Sequence, residues 1–201
     1  MAALFETSGD GGAAVALDER QISILRSLAV QLLELIGPGA GPADGDADDP
    51  LAALFAEGPS EPPSDPALAR LFPDAYGEPG QERDEEARRL SAEFRRFTET
   101  ELRTAKRENL LLMVRGLDAA AGDASESGGG AVLTLSRDDA RRWLGALNDL
   151  RLAIGSRLGL SSEADSERLF EIPPDDPGRP LVIAYAWLAD LMESLLETLM
   201  P

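Results

Sequence analysis

The chain has 201 residues, is 43% hydrophobic but only 5% aromatic, and carries a formal net charge of −18. A core drawn from that composition is rich in Ala and Leu, which favours helices over sheets. The absence of both Cys and His excludes disulfides, thiolate zinc sites, thiol catalysis and every His-dependent triad or metal site by count.

The charge is unevenly spread: residues 1–82 carry −12, residues 83–157 carry +1 and residues 158–201 carry −7. Most of the basic residues therefore sit in the middle of the chain between acidic ends. Such a chain lacks the net counterion-releasing surface that non-specific nucleic-acid binding requires. No run of about 18 apolar residues is present, so no transmembrane helix is expected. No basic segment precedes a short apolar one in the manner of a secretion signal, so a cytoplasmic location is expected.

In chain order, Leu4–Thr7 and Ala13–Leu17 flank a Gly-rich turn and predict a short hairpin. The Gly9-Asp10-Gly11-Gly12 run lacks the Lys-Ser/Thr of a phosphate loop. Asp18 caps a helix to Ile36 with Ile22, Leu25, Ala29, Leu32 and Ile36 on one face. Two similar units follow, Asp49-Pro50 to Phe55 and Asp65-Pro66 to Phe72, each with an Asp cap and Pro at the first helical position. Docking of these units onto the body is favoured over a role as linear motifs for a partner groove.

A long helix is predicted over 84–120. Its early apolar face is Ala87, Leu90, Phe94 and Phe97, and its later one is Leu102, Ala105, Leu110, Met113, Val114 and Leu117. The stripe shifts near Thr98–Thr104, so the helix is either broken there or reaches beyond its own core. Its residues Arg88, Arg89, Arg95, Arg96, Arg103, Lys106 and Arg107 alternate with acids, the usual pattern of a solvated face. Gly122–Gly130 reads as a flexible linker and Val132–Leu135 as a strand able to pair with the hairpin. Ser161–Glu171 is weakly helical, and a last helix over 179–199 carries Leu181, Ala184, Tyr185, Leu188, Leu191, Leu195 and Leu199 on one face.

The most distinctive run is Trp143–Leu160, within a helix over 137–158 that Ser136 opens and Gly159 closes. Trp143, Leu147, Leu150, Ile154 and Leu158 recur at spacings of three and four. Trp143, Leu147, Ile154, Leu188 and Leu191 are the candidate core. Beside that face stand Asn148, Asp149, Arg151 and Arg157, a candidate polar network or interaction site; a hydrogen-bond network that fixes helix register is the commoner use of such a stripe. No residues are assigned to catalysis, a cofactor or a metal.

The run WLGALNDLRLAIGSRLGL, together with Leu25–Ile36, Asp65–Tyr76 and Arg179–Leu196, resembles the signature of an uncharacterised actinobacterial family usually encoded beside the ClpS protease adaptor. One branch of that family is the oxidative-stress transcriptional regulator AosR. The resemblance covers nearly the whole chain. It implies stress-related regulation through a protein partner, a transcription component among the candidates. The branch senses oxidants through a cysteine pair, which this chain lacks.

The reading is therefore a single mainly α domain: a helical bundle with a minor β element of two or three short strands and mobile loops near 37–49, 57–64, 73–83 and 122–130. It is expected to be a regulatory protein–protein interaction domain, a homodimer being a candidate assembly, with no cofactor, no membrane association and no tight DNA binding on its own. The alternative is an Asp/Glu-dependent enzyme of unknown substrate.

Overall fold

The computed structural model describes residues 4–9, 11–38, 58–77, 84–127, 129–160, 165, 169, 172–173 and 175–200. Strands β1 (Glu6–Thr7) and β2 (Ala13–Asp18) pair antiparallel, with Thr7 opposite Ala13. On the other edge of β2 lies β3 (Gly130–Leu135), also antiparallel, with Ala13 opposite Leu135 and Asp18 opposite Gly130. The sheet order is β1-β2-β3. Ala13, Val15 and Leu17 point inward and Ala16 and Asp18 outward, the period of two that a half-covered strand requires.

Asp18 ends β2 and starts α1 (Glu19–Ile36) in a capping box. Its carboxylate accepts from the Gln21 amide at 2.8 Å, and the Gln21 side chain accepts from the Asp18 amide at 2.9 Å. The predicted face, Ile22, Leu25, Ala29, Leu32 and Ile36, is buried throughout. In α2 (Pro66–Leu71) the Asp65 carboxylate accepts from the amides of Ala67 and Leu68. Ala67, Leu71 and the following Phe72 are buried, so this unit docks onto the body as expected. Its counterpart at 49–55 lies outside the described residues, as does most of the predicted helix at 161–171.

Helix α3 (Glu85–Ser127) is continuous over 43 residues, about 64 Å at 1.5 Å per residue. It absorbs most of the stretch expected to be a linker from Gly122. A helical Gly costs about 1 kcal/mol relative to Ala, but Ala120 and Ala124 are buried on either side of it and hold the last turns against the core. Helix α4 (Arg137–Arg157) opens with the Ser136 hydroxyl accepting from the Asp139 amide at 3.1 Å. It closes at Gly159, whose φ of 72° turns the chain while the Leu160 amide donates to the Gly155 carbonyl at 2.9 Å. Helix α5 (Arg179–Leu199) has Pro180 in its first turn and buries Val182, Leu188, Leu191 and Leu195.

Helix α3 packs on α1, β3 and α4, and α4 packs in turn on α5 and α2. Trp143, Leu147, Ile154, Leu188 and Leu191 all belong to one buried cluster, and the Phe5 ring meets Trp143 edge-on at 6.4 Å. Among the described residues no helix is long and apolar enough to cross a membrane. Leu147 is fully buried, so Leu147→Ala is expected to lower the unfolding free energy by about 2–5 kcal/mol in urea titrations. A loss under about 0.5 kcal/mol, the range of a neutral surface change, would show that this face of α4 is not the core.

Candidate functional site

The first half of α3 is inverted. Its aromatic stripe points outward, Phe94 being 46% and Phe97 72% exposed, while Ser91, Arg95 and Glu99 on the opposite side are 3%, 4% and 2% exposed. The expectation of one buried face is thus overturned at Phe94 and Phe97, while Ala87 and Leu90 are half-buried; the expectation that Arg95 belongs to a solvated face is overturned as well. Arg88 and Arg89 are exposed as expected, whereas Arg103, Lys106 and Arg107 are only partly so. Leaving a Phe in water forgoes about 1.5–3 kcal/mol of burial, so something on the other side of the helix must demand this orientation.

That demand is ionic. The Arg95 guanidinium donates to the Phe72 carbonyl at 3.0 Å, to Asp74 Oδ1 at 2.8 Å and to Glu99 Oε2. Glu99 Oε1 accepts in turn from Arg103 Nε at 2.8 Å, and another Arg103 nitrogen donates to the Ile36 carbonyl at 3.0 Å. Arg103 also lies 4.4 Å over the Phe72 ring. Arg107 donates to the carbonyls of Leu33 and Gly37 and so closes the end of α1. Ser91 exchanges hydrogen bonds with the backbone of Tyr76 at 3.2 and 3.3 Å. The inward polar stripe of α3 therefore grips both the chain after α2 and the C-terminus of α1. Burial works against the charge of Arg95, but its bonds to Asp74 and Glu99 and the field of those carboxylates outweigh it and raise its pKa.

One turn further on, Lys106 donates to Asp149 Oδ1 at 2.6 Å and joins α3 to α4. Asp149 is 3% exposed. Burial holds its carboxyl above the ordinary carboxylate range, and Lys106 pulls it only partway back by hydrogen bond and charge. The four predicted site residues on α4 do not converge. Asp149 meets Lys106, Arg151 lies 4.7 Å over the Tyr185 ring of α5, Asn148 is half-buried, and Arg157 is exposed. Arg157 borders a shallow groove with Leu28, Leu32 and Leu35 of α1, whose interior of about 30 Å³ holds roughly one water. Among the described residues no group of three carboxylates is poised to hold a metal ion.

The residues missed by sequence reasoning are Asp74, Arg95, Glu99 and Arg103. A signal existed: stepping back from Leu117, Met113 and Leu110 by threes and fours leads through Lys106 and Arg103 to Glu99, Arg95 and Ser91. An unbroken helix keeps that phase.

These features define a helical domain whose longest helix is held to the body by buried ions and turns an aromatic ridge to solvent. The chain belongs to the family described as a domain of unknown function, DUF2017, whose family model matches residues 1–199. Neither a curated protein nor a solved structure matches it.

The Asp149–Lys106 pair generates a pH prediction. An acid whose pKa is higher folded than unfolded favours folding most below its unfolded pKa, and that contribution is lost as pH rises through the folded pKa. Above the folded pKa the ionised Asp149 depends on Lys106 as its counter-charge. Lys106→Met is expected to cost about 3 kcal/mol there, and the loss should shrink on acidification through the raised pKa of Asp149. Urea titrations of the variant and the parent chain at pH 7 and pH 5 check this. An equal loss at both would place the carboxyl's titration below that window.

Proposed function

We propose that this chain is a regulatory protein–protein interaction domain whose docking surface is the outward face of α3. The observation that carries the reading is the exposure of Phe94 and Phe97 on a helix whose opposite side is locked to the body. Isolated surface apolar residues are ordinary, but Tyr76, itself 44% exposed, meets the Phe94 ring edge-on at 6.3 Å, and Phe97 stands three residues on along the same side of the helix. A contiguous aromatic cluster on a rigid element has the composition of an interface hot spot. The resemblance of the α4 run to an uncharacterised family with one regulator branch suggests the setting: stress-related transcriptional control in the cytoplasm, exerted through a protein partner.

The test is differential capture from the source lysate by the full chain and by Phe94→Ser/Phe97→Ser, read by mass spectrometry. Because both side chains are already largely in water, the variant is expected to keep its helical circular dichroism and to lose at least one partner. Identical capture by both proteins would refute the reading.

Direct DNA binding is expected to be weak. Arg95, Arg103, Lys106 and Arg107 are already committed to carboxylates and carbonyls and cannot replace phosphate counterions. A gel-shift titration of the purified chain against its own promoter region at roughly 0.15 M salt should show no complex near the 10⁻⁸ M scale of specific binders. Tight sequence-specific binding by the chain alone would contradict this.

A further inference from the structure

We propose that the ridge of α3 receives a basic amphipathic helix of a partner protein, with an apolar stripe seated on Leu90, Phe94 and Phe97 and cationic side chains set against Glu86, Glu93 and Glu101. The inference rests on the interaction reading and names the chemistry of the occupant. Glu86 lies four residues before Leu90, and Glu93 and Glu101 lie four before and four after Phe97, so acids and aromatics share one side of the helix. All three glutamates are exposed, and among the described residues none forms an ion pair. Glu108 continues the line one step further, with Arg142 as its ion-pair partner at 3.8 Å.

The cations on the inner side of α3 have other partners. Arg95 and Arg103 belong to Glu99, Lys106 to Asp149, and Arg107 to the end of α1. Arg89 and Arg96 stand about a quarter turn to one side of Phe97 at 100° per residue. The ridge thus combines an apolar stripe with glutamates that form no ion pair among the described residues, which is the complement of an amphipathic helix bearing Lys or Arg beside its apolar residues. The net charge of −18 would steer such a partner toward the chain. A second copy of the chain would bring the same glutamates and the same charge, and like charges across an interface oppose association.

The probe is a fluorescein-labelled Lys/Leu amphipathic helix of about five turns, with a Glu/Leu peptide of the same pattern beside it. Anisotropy titrations use the full chain at roughly 0.15 M salt. The Lys/Leu peptide should bind and the Glu/Leu peptide should not. Phe97→Ser and Glu93→Lys/Glu101→Lys should each weaken binding about tenfold. Glu19→Lys/Glu197→Lys, which changes the net charge equally at exposed sites away from the ridge, should leave it unchanged. Equal weakening by that control would reduce the effect to bulk charge and overturn the proposal. Self-association abolished by Phe97→Ser, without preference between the peptides, would assign the ridge to a second copy, overturning the basic partner while sparing the interaction reading. If Phe97→Ser alters peptide binding, self-association and lysate capture not at all, both fall.

Discussion

Glu99 is the residue on which the placement of α3 turns. Its two carboxylate oxygens accept from Arg95 on one side and Arg103 on the other, and through them it reaches Phe72, Asp74 and the last carbonyl of α1. Taking ions out of water costs several kcal/mol each, and mutual attraction offsets this only when most of the remaining polar atoms find partners; Arg95 bonds through both terminal nitrogens and leaves its buried Nε without a partner. Here that condition imposes register. One Arg95 nitrogen serves both the Phe72 carbonyl and Asp74, so the chain leaving α2 can sit at only one height along α3. An apolar contact would tolerate a slip of a turn; this network would be left with uncompensated charge.

The same network explains the ridge. A continuous helix presents one face inward along its length, and α3 has no break over its 43 residues. Its second half is anchored by Leu110, Met113, Leu117, Ala120 and Ala124, and that phase carried toward the N-terminus brings Lys106, Glu99, Arg95 and Ser91 to the inside. Phe94 and Phe97 are then outside by geometry. Turning them inward would expose the anchoring leucines or require a kink; proline and Gly/Ser pairs are the usual sequence causes of kinks, and 85–115 holds neither Pro nor Gly.

How much of this was legible depended on whether local pattern and tertiary demand agreed. In α1 they agree: the Asp18 cap and every residue of the apolar face stand where the spacing put them. In α4 the Ser136 cap, the Trp143–Ile154 face and the turn at Gly159 were equally plain. The first half of α3 sets the two against each other. Arg and Glu at spacings of four occur on solvated helices as well, and the aromatic stripe looked like the buried side because hydrophobic periodicity records amphipathicity without direction. The Gly-rich end of α3 misled for a related reason, since helix propensity is weak beside the burial of Ala120 and Ala124. On α4, Asp149 was chosen with its neighbours, but Lys106 lies 43 residues away, a distance over which no local pattern speaks.

A ridge carried on such a helix differs from one carried on a loop. The α3 backbone is already hydrogen-bonded and its inner side chains are held by ions and core contacts, so a partner would order little beyond a few exposed side chains. Binding then forgoes less of its interaction energy to lost conformational freedom. The buried ions thus spend fold stability on orientation: they leave two phenylalanines in water, which burial alone would have covered, and hold them at a fixed angle to the bundle. Relaxing that network would leave the phase of α3 to Leu110, Met113 and Leu117, which share one buried cluster with Leu147, Leu188 and Leu191.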